Sequence, residues 1–189
     1  MNAYDFDDTI YRGDSSLHFF VYYLRHEPKL VKYLPRVVKI LHDYHKEKIA
    51  FGDITKQFGD VFKEYFANNT VDFDEIAKDF WDKHEHRIKP FYKEIQKEDD
   101  LVITACPSFM AEEICRRLGI KHCLSTDFDT KTGEFRRACF REKKIDFLLE
   151  AFPDGQIDDF YTDSMNDKFL FPYSKRVFMV KGNKITRIK

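Results

Sequence analysis

From Ser15 to Lys97 the chain offers no convincing strand, yet strand signals stand on both sides of that tract. Before it, Asn2-Ala3-Tyr4-Asp5 reads as a short extended run. After it, Leu101-Val102-Ile103-Thr104 is an apolar, β-branched run of the kind that fills a buried parallel strand. A lone opening strand must pair with something, and its partners come only after the helical tract. Beyond Leu101, strand and helix signals alternate. The spacing predicts a helix from Pro107–Ser108 to Leu118, closed by Gly119, and a strand over Lys121–Ser125. Asp127–Phe135 is expected to form a hairpin and Glu142–Phe152 a helix. Strands are expected at Ile157–Tyr161, Arg176–Val180 and Ile185–Ile188, with a loop from Asp163. The expected fold is α/β: a Rossmann-like parallel sheet with helices on both faces, interrupted after its first strand by an all-helical insertion.

The insertion has its own punctuation. Asp14 or Ser15 is placed to cap a helix over Leu17–His26. Pro28 and Pro35 interrupt the next stretch, with a break expected near Pro35. Asp53–Phe66 carries Ile54, Phe58, Val61, Phe62 and Tyr65 at helical spacing. Asp72–His86 does the same with Phe73, Ile76, Ala77, Phe80 and Trp81, and a short helix is expected over Phe91–Lys97.

The chemistry is concentrated at strand ends. Alternation puts Asp5 and Asp7 on one side of an extended backbone. Two carboxylates that close repel, and a divalent cation removes the conflict. Hard oxygen donors suit magnesium (Mg2+), which commonly binds one or two carboxylates together with a substrate phosphate. The stretch is not an EF-hand loop, because Ile10 and Ser16 stand where Gly and Glu are needed. In open α/β sheets, ligands bind beyond the carboxyl ends of the strands. Asp5, Thr104 and Asp163 all fall at such ends. A second acid pair, Asp127-Phe128-Asp129, runs into Lys131-Thr132-Gly133 and reads as a structural hairpin.

Composition narrows the partners. The balance of 32 basic and 33 acidic residues gives no global attraction to nucleic acid or membrane. Twenty Phe and ten Tyr call for an aromatic-rich core or pocket. None of the four cysteines forms a Cys-x-x-Cys pair, so free thiols in a cytoplasmic protein are expected, and a zinc site is not. No apolar run reaches the roughly 18 residues of a membrane span.

Taken together, the motifs resemble the haloacid dehalogenase (HAD) superfamily, and within it the phosphoserine phosphatase-like group with a helical cap. The residues that carry the resemblance are Asp5-Phe6-Asp7-Asp8-Thr9, Thr104, a lysine in Arg141-Glu142-Lys143-Lys144-Ile145, and Asp163-Ser164-Met165-Asn166-Asp167. The resemblance implies a core of residues 1–14 and 98–189 and a cap of residues 15–97. It implies Asp5 as nucleophile, Asp7 as general acid and base, and Thr104 with Thr9 among the phosphate-binding groups. Of the adjacent lysines, Lys144 is preferred because it precedes the apolar Ile145. The metal is assigned to Asp5, the main-chain carbonyl of Asp7, and Asp163, with Asp167 orienting the lysine or a metal-bound water. Two departures from the family pattern stand out: Asp8 and Arg141 occupy positions where many relatives have glycine.

The expected activity is a magnesium-dependent phosphomonoesterase acting on a small-molecule or lipid-head-group phosphate through an aspartyl-phosphate. A phosphotransferase or phosphomutase, and a non-catalytic phospho-Asp switch, are the alternatives. Phosphoserine phosphatase itself fits poorly, since no glutamate follows the first motif before Glu27. The run Asp14-Ser15-Ser16-Leu17-His18-Phe19-Phe20 looks more like phosphatidylglycerophosphatase C-type members. The Lys29–Leu41 stretch, with Lys29, Lys32, Arg36 and Lys39, allows contact with a membrane surface but reads better as an ordinary helix with a solvated basic side. Phe19, Phe20 and Tyr23, just after the acid loop, are the candidate substrate-contacting aromatics.

Overall fold

The computed structural model describes residues 1–46, 51–66 and 72–189. Strand β1 is only Ala3–Tyr4. Among the described residues five α-helices then precede the next strand: α1 (Ser15–His26), α2 (Leu34–His45), α3 (Phe51–Phe66), α4 (Phe73–His84) and α5 (Pro90–Ile95). Each start has a local cause. The Asp14 carboxylate accepts the Leu17 N–H at 2.8 Å and caps α1, and Asp72 does the same for α4 through Glu75 N–H at 3.0 Å. Pro28 opens a 3-10 helix over Pro28–Tyr33, and Pro35 falls in the first turn of α2, where its missing N–H costs nothing. The break expected near Pro35 is therefore a change from 3-10 to α-helix. In α3, Val61 and Tyr65 are buried; the side chains of Ile54, Phe58 and Phe62 lie outside the described residues.

The remaining elements are β2 (Leu101–Pro107), α6 (Ser108–Leu118), β3 (His122–Asp129), β4 (Glu134–Arg137), α7 (Lys143–Ala151), β5 (Ile157–Thr162), β6 (Ser174–Lys181) and β7 (Lys184–Arg187). Gly119 closes α6 in the left-handed conformation, φ 69°. The strand expected at Lys121–Ser125 and the first arm of the hairpin are one continuous strand, β3. The loop expected after Asp163 contains a 3-10 helix over Met165–Tyr173, begun by Ser164, whose hydroxyl accepts the Asn166 N–H at 3.1 Å.

The sheet has the order β4-β3-β2-β1-β5-β6-β7. Strands β3, β2, β1, β5 and β6 run parallel, and the edge strands β4 and β7 fold back antiparallel. β1 is central, with Tyr4 opposite both Val102 and Tyr161. The chain moves from β1 toward β4, then returns to β5 on the other side of β1. Asp5, Thr104 and Asp163 thereby share one edge at a topological switch point.

Period-two alternation divides the core. Tyr4 and Val102 point to the face covered by α6, whereas Ala3, Leu101 and Ile103 point to the face covered by α7 and the 3-10 helix. The first cluster does not stop at the sheet. Phe6 stacks on Tyr11 (5.7 Å), both rings meet Trp81 edge-on, and Phe80 meets Phe19 edge-on at 5.5 Å. The Trp81 indole N–H donates to the Met110 carbonyl at 2.9 Å. One hydrophobic cluster thus joins the helical tract to the sheet. Along α2 and the 3-10 helix before it, Leu30, Tyr33, Val37 and Ile40 are buried, while Arg36 pairs with Glu64 and Lys39 with Asp43. Among the described residues no helix is long and apolar enough to cross a membrane.

A polar clamp reinforces the same junction. Glu113 on α6 accepts from Arg116 (2.8 Å) and Arg117 (2.7 Å), and Arg117 reaches across to Asp82 (2.7 Å) and the Lys78 carbonyl (2.9 Å) on α4. The guanidinium of Arg116, with that of Arg117, holds the Glu113 carboxyl down at about 2. A depressed carboxylate stabilises the fold above its unfolded pKa, and that contribution disappears as pH falls through about 2. Arg117→Ala is expected to cost about 1–3 kcal/mol at pH 7 by urea unfolding. The difference from the parent should shrink as pH is lowered from 5 toward 2.

Candidate active site

The acid loop is built from the backbone outward. The Asp5 N–H donates to the Tyr161 carbonyl at 2.9 Å, so Asp5 continues the line of β1. The carbonyl of the fully buried Phe6 then accepts the N–H groups of Ile10 and Tyr11, both at 2.9 Å, which folds the chain back on itself. Gly13 closes the loop, donating its N–H to the Asp8 carboxylate at 3.0 Å and accepting the Asp8 N–H at 3.1 Å. Gly13 has φ +100°, and a Cβ there would stand 2.6 Å from the His18 ring, so any other residue would be strained. The Asp7 carboxylate accepts the N–H of Ser15, the first residue of α1, at 2.7 Å.

Lys144, in the first turn of α7, is the centre of the site. Its side chain is 3% exposed, and its ammonium lies 2.8 Å from Asp5 Oδ1 and 2.7 Å from Asp167 Oδ1. The other Asp167 oxygen accepts the Thr162 hydroxyl at 2.8 Å. Both Asp167 oxygens are therefore engaged. Asp5 Oδ2 faces the Thr9 hydroxyl at 3.4 Å. Thr104 is buried in β2, where its hydroxyl accepts the Cys106 N–H at 3.1 Å. Asp163 follows β5, and its carbonyl accepts from the Lys181 ammonium. Lys143 is exposed beside Asp146.

Burial shapes the charges. It pushes the Asp7 carboxyl up to about 8, with Asp14 adding repulsion and the bond from Ser15 pulling the other way. An acid in that range carries a proton at neutral pH and can return to it after giving the proton up. Burial also raises Asp5, against the pull of Lys144. For Lys144 burial opposes the charge, but Asp5 and Asp167 outweigh it, and the ammonium is held above its ordinary pKa. Burial raises Asp163 too, with Lys181 opposing.

Among the described residues no three His, Cys, Asp or Glu side chains converge as a metal cluster. The expected ligand set needs only two carboxylates, Asp5 and Asp163, and the Asp7 carbonyl. These are hard oxygen donors, and the two carboxylates repel each other in a partly desolvated site, so the donor set fits magnesium.

The aromatic candidates all lie on α1. Phe19 and Tyr23 are buried in the cluster joining the helical tract to the sheet; Phe19 meets Phe80 and Phe109, and the Tyr23 hydroxyl faces that of Tyr65 at 3.5 Å. Phe20 is half-buried at the margin of that cluster. The acid pair Asp127 and Asp129 sits on the β3–β4 hairpin, where Asp129 Oδ1 accepts the Lys131 and Thr132 N–H groups. All four cysteines are free. Two supporting groups escape the motif reading. Thr162 carries no signal beyond ending a strand one residue before Asp163. Lys89, 3% exposed, reaches the Asp8 carbonyl from the far end of the helical tract.

The two departures from glycine have a structural counterpart. Asp8 (φ 53°) and Arg141 (φ 50°) are the non-glycine residues with left-handed backbone among those described. At Asp8 the side-chain bond from Gly13 offsets the strain. Arg141 is exposed, with its guanidinium 5.1 Å from the Phe140 ring. Arg141→Gly should raise stability by about 0.5–1 kcal/mol, and Arg141→Val should lower it by about 1–2 kcal/mol. Urea midpoints for the pair check the sign of each change.

Comparison with known proteins places this arrangement. No curated protein is significantly similar to the chain. Solved structures are similar in fold. A protein with unknown function from Bordetella pertussis Tohama I superposes with a TM-score of 0.75 at 17% identity, over 94% of this chain and 87% of its own. A phosphoserine phosphohydrolase-like protein from Francisella tularensis subsp. tularensis SCHU S4 gives 0.61 at 16% identity, over 94% and 86%. A phospho-aspartyl intermediate analogue of phosphoserine phosphatase gives 0.56 at 16% identity, over 93% and 83%. The family model for haloacid dehalogenase-like hydrolases matches residues 3–170, which hold strands β1 to β5, the helical tract and all four motifs, and the chain belongs to that family.

Proposed function

We propose that the chain is a magnesium-dependent phosphomonoester hydrolase working through an aspartyl-phosphate. The observation that carries this reading is the buried Lys144 ammonium held between Asp5 and Asp167 at the carboxyl edge of the sheet. Fixed positive charge beside a carboxylate, with no solvent to screen it, suits a reaction that moves a dianionic phosphoryl group.

In this reading the phosphoryl oxygens are met by Lys144, the Thr104 hydroxyl and the Thr9 end of the acid loop. Asp5 attacks phosphorus with Oδ2, the oxygen not held by Lys144. Asp7, protonated, gives its proton to the leaving oxygen as the ester bond breaks. It then takes a proton from the water that attacks the aspartyl-phosphate, releasing phosphate and restoring Asp5. Asp167 keeps Lys144 in place. Magnesium, when held by Asp5, the Asp7 carbonyl and Asp163, supplies positive charge that offsets the phosphate.

Residues 1–14 and 98–189 form the catalytic core in this reading, and residues 15–97 form a cap acting in the cytoplasm on a small-molecule or lipid-head-group phosphate. The phosphoserine phosphatase-like neighbours support the phosphoester class. Substrate choice is assigned to the cap face bearing Phe19, Phe20 and Tyr23, with half-buried Phe20 as the contact and its two neighbours as packed support. Phe20→Ala is then expected to change the ranking of substrates by kcat/KM with little loss of stability. Phe19→Ala should cost about 3–5 kcal/mol and lower all substrates together.

The experiment is a release assay for inorganic phosphate across phospholipids, sugar phosphates and phospho-amino acids, with magnesium and with chelator. Release that vanishes in chelator and returns with magnesium is the expected result. Transfer to an added alcohol in place of release would favour a phosphotransferase. A long-lived phospho-Asp5 would favour a switch. No phosphoryl chemistry with any substrate class would defeat the reading.

A further inference from the structure

We propose that Lys89, together with Lys181, is a positioning residue that ties the acid-bearing loops after β1 and β5 to the turn between β6 and β7, an inference that rests on the hydrolase reading above. The two loops leave adjacent strands, and the last bond between those strands runs from the Asp5 N–H to the Tyr161 carbonyl. The turn at Lys181–Lys184 lies beside both.

Lys89 is launched from a fixed backbone. Pro90 holds it extended (ψ 138°), and its N–H donates to the Ile10 carbonyl at 2.8 Å. The neighbouring chain is tied as well: the Arg12 N–H donates to the Arg87 carbonyl at 3.0 Å, and Tyr11 bridges to Ile88. From there the side chain runs inward, and its ammonium donates to two carbonyls, that of Asp8 and that of Gly182 at 3.0 Å. Gly182 sits in the β6–β7 turn. From the residue before it, the Lys181 ammonium donates to the Asp163 carbonyl. One turn thus holds both loops, through Lys89 on one side and Lys181 on the other.

The bond to Asp8 falls on the peptide that most needs holding. Asp8 is left-handed, a conformation that a non-glycine residue leaves readily. Leaving that conformation changes φ and ψ of Asp8 and so rotates the peptides on both sides of it, including the one that carries the Asp7 carbonyl. A buried ammonium with an acceptor on each side prevents that rotation. Burial lowers the Lys89 pKa, Asp8 and Asp163 work against that by favouring the lysine charge, and Arg12 adds to it. The clamp uses none of the groups assigned to phosphoryl transfer, so it acts through them and not on the substrate.

The test compares Lys89→Met, Lys89→Arg and Lys181→Met with the parent by amide hydrogen exchange and by steady-state hydrolysis of an aryl phosphate. In Lys89→Met, exchange at Thr9, Ile10 and Tyr11 should quicken about tenfold or more, with β2 and α6 unchanged. Its kcat should fall about tenfold to a hundredfold with KM nearly constant, since displaced catalytic groups lower turnover more than binding. Lys89→Arg should recover part of both. Unchanged exchange in the loop, or an equal acceleration throughout the chain, would overturn the clamp. If Lys89→Met does not fold, exposed Lys181→Met decides: faster exchange at Ser164 and Asp167 with lower kcat supports the clamp, and no change in either overturns it. If the parent releases no phosphate, the hydrolase reading fails, while the exchange pattern still answers for the clamp.

Discussion

Asp5→Asn is expected to lower turnover of an aryl phosphate at least about 10⁴-fold while leaving the protein folded. The reason is local. The amide keeps the shape of the side chain and one oxygen for the Lys144 ammonium, now 2.8 Å from Oδ1, but it is a poor nucleophile for phosphorus. Stability should change little, because two effects oppose each other. Burial penalises the Asp5 charge, so its removal is favourable; Lys144 loses one of its two partners, which is unfavourable. Thermal melts and circular dichroism establish that the fold is intact, and trapping with labelled phosphate shows whether the acyl phosphate still forms. Turnover above about 1% of the parent in clean protein would remove Asp5 from the nucleophile's place.

Lys144→Met should damage both activity and stability. The methionine fills similar volume, but it leaves Asp5 and Asp167 facing each other with no cation between them. Breaking a buried ion pair by removing one partner typically costs about 3–5 kcal/mol, and loss of a fixed charge at the phosphoryl group costs roughly 10²–10³ in kcat. The pH dependence separates this cause from simple repacking. Burial already raises the Asp5 carboxyl, and without the opposing pull of Lys144 it rises further above its unfolded value, so the folded state binds more protons than the unfolded one. Stability then falls as pH rises. The variant should therefore lie closest to the parent near pH 5 and farthest from it near pH 8, measured by urea unfolding. A pH-independent difference would assign the loss to packing. By contrast, Lys143→Met, at an exposed position beside Asp146, should leave both quantities nearly unchanged.

The sequence alone determined the order of the elements and the edge at which the chemistry gathers. Hydrophobic period distinguishes the helical tract from the strands that follow, and strands that are β-branched and apolar must be buried on both faces. Asp14, Asp72 and Gly119 act at helix ends through their own side chain or backbone freedom, so they are readable one residue at a time. Asp5 and Asp163 were legible for the same kind of reason, each standing one residue past a strand; Thr104 does not end its strand as expected, since β2 runs on to Pro107, and it reaches that edge because its neighbour β1 stops at Tyr4.

Only the tertiary structure decided which groups pair across that edge. Lys143 and Lys144 are neighbours in the chain, and the α7 face that meets the sheet sends one to Asp5 and Asp167 and leaves the other in solvent. Phe19, Phe20 and Tyr23 lie within one turn or so of helix. The packing of α1 against α4 and α6 buries two of them and leaves Phe20 at the margin, a distinction that composition and position do not contain. Thr162 and Lys89 have no motif at all. Lys89 meets Asp8 and Gly182 across long separations in the chain, and such contacts exist only once the sheet order has brought the β6–β7 turn beside the acid loop. Local propensity acts over a few residues, while the placement of a buried ammonium depends on every strand that closes around it.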